Sequence, residues 1–369
     1  MSTRATPEGT RRFAERQPAA RQSNYRQAVD GLWLSSLGHG TYLGEPDDAT
    51  DHAYRAAFTA SLAHGCNVFD CAVNYRYQRS ERVLGAWLRE MFDSGALSRD
   101  EVVVATKGGF VPYDGVPPDD PRVYAYEQYI KTGYAKAHEF AARYQHCIAP
   151  AYLEQMIALS LENLGLECID IYYLHNPETQ SIAISAQTFR ARLLDAFETL
   201  ELAVERGQIA SYGLATWTAF RALPDSPDYL SLTQMVSLAA EVGGQSHNLR
   251  YVQLPYNLFM TEAYAFENQQ LGESFLSAIE AANQLGLTVM VSAPLMQGRL
   301  SAIGSPKIAA AFPELRSKAQ QALQFVRSTP GVCTALIGMA RAAHVSENLA
   351  LTDLPPADSA LIRALYDRA

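Results

Sequence analysis

Long apolar runs, paired cysteines and a net positive charge are all missing from this 369-residue chain. No stretch of roughly eighteen apolar residues occurs, and the N-terminus lacks the apolar core of a signal peptide, so neither a membrane helix nor a secretory leader is expected. The five cysteines, Cys66, Cys71, Cys147, Cys168 and Cys333, are odd in number and show neither CxxC pairing nor zinc-finger spacing. They read as small apolar core residues in a reducing compartment. The formal charge is −9 and the pI about 5.4, with no basic patch in the folded part, which argues against a nucleic-acid partner. The expectation is a soluble cytoplasmic protein with no membrane partner. A complete dinucleotide glycine motif is also missing. The pattern starts as Gly38-His39-Gly40, but Leu43 stands where the third glycine belongs and Gly44 comes one place late. No acidic residue on the second strand is set to hold a ribose, so a Rossmann domain is disfavoured.

What is present is apolar material and rhythm. Hydrophobic residues make up 48% of the chain, enough for one deep core. From Leu32 onward, short apolar runs alternate with longer amphipathic stretches. Strands are expected at 37–41, 67–70, 102–106, 169–174, 211–214, 251–254, 288–292 and 335–337. Helices are expected between them, among them 48–64, 80–92, 151–164 and a stretch carrying Phe189, Leu193, Phe197, Leu200 and Val204. Eight β/α units in one chain point to a closed (β/α)8 TIM barrel, of α/β class, rather than an open doubly wound sheet. Residues 1–28, rich in Arg, Ala, Gln, Ser and Thr, read as a flexible basic extension carrying Arg11, Arg12, Arg16, Arg21 and Arg26, with targeting or partner binding as the other reading. The remainder, 29–369, reads as a single barrel. Segment 108–150 interrupts the rhythm with Pro, Gly and Tyr113, Tyr124, Tyr126, Tyr129, Tyr134 and Tyr144. It is expected as an insertion over the barrel mouth that shapes the substrate pocket, although tyrosines packing the loop onto the rim would account for the same composition.

In such a barrel, residues at the C-terminal ends of different strands converge on one mouth. Asp70, Lys107 and His175 end the second, third and fourth strands, and Tyr75 lies on the loop above the second. A tyrosine is a weak acid near neutrality, and an adjacent ammonium favours its ionised form. Lys107 is expected to do this, Asp70 to keep Lys107 charged, and His175 to donate to a substrate oxygen. That donor set suits an oxygen on which negative charge develops, as in carbonyl reduction. A metal site built on Asp70 and His175, and with it a metal-dependent hydrolase, is the competing reading. It lacks a second His or Cys at ligand spacing, and Lys107 would repel a cation, so no metal is expected.

The segments FDCAVNY with RSERVLG, VVATKGG, IDIYYLHNPE, VQLPYNL, APLMQG and IGMARAAHVSEN resemble, in order and spacing, the signature segments of the aldo-keto reductases. The resemblance runs from about Leu34 to Leu349. It implies a barrel that binds NAD(P)H without a Rossmann domain, with Asp70, Tyr75, Lys107 and His175 as the catalytic tetrad and Tyr75 as proton donor. It further implies cofactor contacts at Thr41, Tyr42, Gln253, Leu295, Gln297, Glu347 and Asn348. Several positions depart from the family pattern. Ala215-Thr216 replaces a common Ser-Asn pair, leaving Thr216 to contribute, and Ser292 stands where an aromatic usually stacks on the nicotinamide. Arg76 replaces a glycine after the tyrosine, where it could stabilise the phenolate or pair with the insertion, and His344 stands where a basic residue is common. Arg299 and Arg341 are candidate partners for a 2′-phosphate, which favours NADP(H) over NAD(H). The function implied is an NADP(H)-dependent oxidoreductase interconverting an aldehyde or ketone, with a sugar among the candidates, and its alcohol. A catalytically weak cofactor-binding regulatory subunit on the same barrel is the alternative.

Overall fold

The computed structural model describes residues 2–366. Eight parallel strands close into a barrel: β1 (Leu37–Gly40), β2 (Val68–Asp70), β3 (Val103–Gly108), β4 (Ile169–His175), β5 (Ile209–Ala215), β6 (Leu249–Pro255), β7 (Thr288–Ser292) and β8 (Val332–Gly338). Each pairs with its chain neighbours, and β8 pairs with β1 to complete the ring. The principal helix after each strand is α1 (Asp48–Ala63), α2 (Arg79–Asp93), α3 (Pro150–Leu164), α4 (Ala186–Glu205), α5 (Leu232–Gly243), α6 (Ala278–Gln284), α7 (Lys318–Ser328) and α8 (Ala342–Leu349).

Local chemistry sets the element ends. Asp47 caps α1 by accepting from the Thr50 amide at 2.8 Å, with Asp48 and Asp51 in the positive first turn. α3 ends at Gly165, whose φ of 63° is the left-handed turn glycine adopts freely. β3 is buried at every position, as its β-branched run requires. The barrel bore is filled by Val68, Val103, Ala105, Ile171, Tyr173, Tyr251, Met290 and Leu336. Space there is tight enough that a Cβ on Gly38 of β1 would come within 2.8 Å of Leu336.

The N-terminal segment, expected as a flexible extension, is instead a packed part of the barrel. Pro7–Glu15 is a helix capped by Thr6, with Thr10, Phe13 and Ala14 buried. Tyr25–Gln27 and Trp33–Ser35 pair as an antiparallel hairpin, and Ala5, Ala28, Leu32 and Leu34 plug the lower bore. The arginines are what composition alone misread, because four of the five find partners elsewhere in the chain. Arg12 pairs with Asp100 at 2.9 Å, Arg16 with Glu101 at 2.7 Å and Arg21 with Asp353 at 2.6 Å, while Arg26 donates to the Val332 carbonyl at 2.7 Å. The buried carboxylate of Asp170 accepts from the Ala5 amide at 2.7 Å.

The 108–150 insertion is packed by its own aromatic residues. Its two limbs meet in a neck, where Val111 donates to the Gln145 carbonyl and Cys147 to the Gly109 carbonyl, each at 2.9 Å. Beyond the neck it packs against the loop after β2 and the first turns of α3. Val111, Tyr129, Ala135 and Cys147 pack with Val73 and with Tyr152 and Met156 of α3. Tyr113 meets Tyr124 edge-on at 5.2 Å and Tyr129 meets Tyr152 at 5.1 Å, so these rings satisfy one another.

Phe13 is 1% exposed, so Phe13→Ala should cost about 3 kcal/mol in urea unfolding, whereas a solvated tail would tolerate the change. Burial also pushes His39 down to about 3 and His146 down to about 4. The unfolded chain takes up these protons near pH 6.5 and the folded chain only at lower pH, so stability held above about 6.5 is lost as pH falls. Urea midpoints should fall continuously from pH 7 to pH 4.

Candidate functional site

A cavity of about 930 Å³ opens at the C-terminal ends of the strands. Thr41, Tyr42, Asp70, Tyr75, His175, Thr216, Gln253, Ser292, Leu295, Gln297, Glu347 and Asn348 all line it, so most of the positions singled out from the sequence meet in one space. Two do not. Arg299 and Arg341 are exposed, on loops whose neighbours Gly298, Ser301, Gly338 and His344 reach the cavity. Neither guanidinium has an ion-pair partner among the described residues.

Lys107 lies behind the wall. Its Nζ is 2.5 Å from Asp70 Oδ1, 2.8 Å from the Cys71 carbonyl and 4.9 Å from the centre of the Tyr75 ring. Register explains the meeting, since Asp70 of β2 lies opposite Ala105 of β3, two residues before Lys107 on the same face. Burial works most strongly against the Lys107 charge, but Asp70, Tyr75 and Cys71 together offset it and the ammonium pKa is raised. The Tyr75 phenol differs from the expectation. Burial raises its pKa, and Lys107 offsets this only in part because Asp70 cancels some of the ammonium's field. Burial, then Lys107 and His146, hold the His175 pKa well below its usual value, so its ring is neutral. Its Nδ1 has no partner among the described residues.

Aromatic rings frame this corner. Tyr42 meets Tyr75 edge-on at 5.0 Å, Tyr75 meets His175 at 5.9 Å, and Phe110 meets His175 at 5.0 Å. Phe110 is the one residue of the 108–150 insertion that lines the cavity. Asn74, Asn176 and Trp217 line it as well, and none was singled out from the sequence although each directly follows or precedes one that was. Glu178, within the HNPE segment, was equally silent. Its buried carboxylate accepts from the Trp217 amide at 2.7 Å and so sets the loop after β5.

Gln253 spends its amide on the site itself, donating to Asp70 Oδ2 at 2.9 Å. Thr216 is buried with its hydroxyl unpaired among the described residues, leaving a hydrogen-bonding group for a ligand. Arg76 takes neither of the two expected roles. It binds the loop after β1, reaching the Glu45 carbonyl at 2.9 Å and Asp51 at 2.6 Å. The backbone shows why glycine suits this place, since Arg76, Tyr77 and Gln78 have φ of 49°, 55° and 72°. Among the described residues no cluster of His, Cys, Asp and Glu could hold a metal ion, and no helix is long and apolar enough to cross a membrane.

Solved structures share this architecture. An aldo/keto reductase from Klebsiella pneumoniae, in complex with NADP and acetate, superposes with a TM-score of 0.60 at 21% identity, covering 93% of this chain and 94% of that one. The holo form of an aldo-keto reductase from Bacillus halodurans gives 0.62 at 18% identity, over 94% and 97%. At these identities the likeness is one of fold. The chain is 26% identical over 266 residues to an NADP(+)-named aldo-keto reductase, yakc, of Schizosaccharomyces pombe, and 28% identical over 199 residues to a D-threo-aldose 1-dehydrogenase of a Pseudomonas species. These alignments take in 72% and 51% of this chain but only 58% and 52% of the relatives' lengths. The model of the aldo/keto reductase family matches residues 36–367, almost the whole barrel, and the chain therefore belongs to that family.

Proposed function

We propose that the protein is an NADP(H)-dependent oxidoreductase interconverting an aldehyde or ketone, a sugar among the candidates, with its alcohol. The observation that carries this reading is the meeting of Tyr75, Lys107, Asp70 and His175 at one end of a cavity far larger than a small carbonyl needs. Its volume lies near the top of the roughly 300–1,000 Å³ range of ligand sites, which suits a dinucleotide and a substrate together. The unpaired Thr216 hydroxyl, Ser292, Leu295 and Gln297, with Glu347 and Asn348 at the far end, would hold the cofactor, and Thr41 and Tyr42 would border it. The exposed guanidiniums of Arg299 and Arg341 flank that end and favour a 2′-phosphate, in keeping with the NADP named for two of the relatives. Bound NADPH would supply the hydride.

The chain's own residues handle the proton. Tyr75 keeps its proton at neutral pH because burial raises its pKa, and it donates that proton to the carbonyl oxygen as charge develops there. Neutral His175 offers that oxygen a second hydrogen bond, and Lys107, fixed by Asp70, stabilises the phenolate that remains. Gln253 in turn steadies Asp70.

The rival reading, a regulatory subunit with little turnover, is favoured by Ser292 in place of a stacking ring. Mixing the NADPH-loaded protein with a panel of reactive aldehydes separates the two, because a regulatory subunit would leave the cofactor unoxidised. Tyr75→Phe should lower turnover by about 10²-fold or more while NADPH still binds, as read by fluorescence quenching. Undiminished turnover in that variant would mean the acid is elsewhere. In the oxidative direction the phenolate is required, so the rate should climb as pH rises toward and past 10. Lys107→Met should move that climb to still higher pH.

A further inference from the structure

Beyond Gly108, β3 leaves the sheet and enters the insertion, so β4 loses that neighbour just as it delivers His175. The space is taken by the returning limb. His146 is fully buried there, with its Nε2 2.7 Å from the His175 carbonyl oxygen. Its other nitrogen, Nδ1, is 3.1 Å from Gln180 Nε2, which also donates to the His146 carbonyl at 3.1 Å. An amide N–H at Nδ1 leaves that nitrogen as the acceptor and the proton on Nε2, where it is donated to His175. Gln180 is oriented by Arg192, whose guanidinium donates to Gln180 Oε1 and to the Glu139 and His138 carbonyls.

Gly109 makes the contact possible. It sits at φ 146°, and a Cβ there would fall 2.7 Å from the His175 carbonyl oxygen and 3.0 Å from His146 Nε2. Phe110, next in the chain, bridges to His146 and packs edge-on against both imidazoles, each at 5.0 Å. The chain from Arg192 through Gln180 and His146 thus ends on the backbone of the residue that would face the substrate oxygen. His175 is followed by Asn176 at φ 47°, a left-handed conformation that costs a non-glycine residue energy and persists only where surrounding contacts hold it.

We propose that His146 is a positioning residue for His175. The insertion, through its neck, sets the aim of the site's histidine, and the tautomer of His146 is fixed by Gln180 and Arg192. This rests on the reading of His175 as a hydrogen-bond donor to the carbonyl. A donor displaced by about 1 Å is enough to slow the chemical step by about 10²-fold.

The test measures hydride transfer in a single turnover of the full-length protein with NADPH already bound. His146→Leu should slow it by about tenfold or more, with NADPH affinity within about twofold of wild type, because the cofactor contacts lie elsewhere in the cavity. His146→Gln, which returns an N–H near the position of Nε2, should restore most of the rate. Gln180→Met, which leaves His146 in place without its orienting amide, should give an intermediate loss, and if His146→Leu is insoluble a wild-type rate in Gln180→Met would overturn the proposal. A wild-type rate in His146→Leu, or a His146→Gln protein as slow as His146→Leu, would overturn the proposal. Histidine ring NMR reads the same contact without activity. The His175 resonances should move in His146→Leu and stay near wild type in His146→Gln, and unmoved resonances in His146→Leu would overturn the proposal as well. Failure of the wild type to oxidise NADPH with any carbonyl would instead sink the oxidoreductase reading, leaving the NMR arm to decide the role of His146.

Discussion

The ion pair between Lys107 and Asp70 is the constraint around which the mouth of this barrel is built. Both side chains are almost wholly buried, and an isolated ammonium or carboxylate at that depth costs several kcal/mol. Each therefore needs the other, together with the Cys71 carbonyl and the Gln253 amide that complete their hydrogen bonds. This demand fixes the register of β2 against β3 and ties β6 to the same point. Tyr75 then sits above a positive charge that cannot leave. The pair stabilises rather little in itself. It gives the site one arrangement of charge, held almost wholly beneath the surface.

The barrel was legible because its signals are local and repeated. Short β-branched runs such as Val102 to Thr106 and helices with apolar spacing recur eight times, and most strand ends fell within two residues of their expected places. The site was legible for the same reason, as Asp70, Lys107 and His175 each end an apolar run. What the sequence hid are properties of pairs distant along the chain. The arginines of the N-terminal segment look solvated until Asp100, Glu101 and Asp353 are brought beside them. Trp217, Asn74 and Asn176 carry no pattern of their own and matter only through the space they border. Burial of Tyr75 could not be weighed against the field of Lys107 from residue types alone, and burial prevails.

Arg76 and the 108–150 insertion are each anchored by contacts outside the cavity. Arg76 stands in a left-handed turn that would suit glycine, and it is held there by Asp51 and two carbonyls of the loop after β1. The 108–150 insertion is likewise anchored at its base and contributes to the cavity only through Phe110. In the first case a substituted side chain braces a loop from behind, and in the second the insertion's His146 holds the backbone of His175.

The plug at the foot of the bore bears on how the chain can be made. Its contacts span most of the sequence, since Ala5 waits for Asp170 across 165 positions and Arg21 for Asp353 across 332. Synthesis from the N-terminus releases these first residues long before their partners exist, and such distant closures are slow to form. Residues 5–35 are therefore among the last to be locked. A fragment truncated within β8 would lose Asp353 and with it the partner of Arg21.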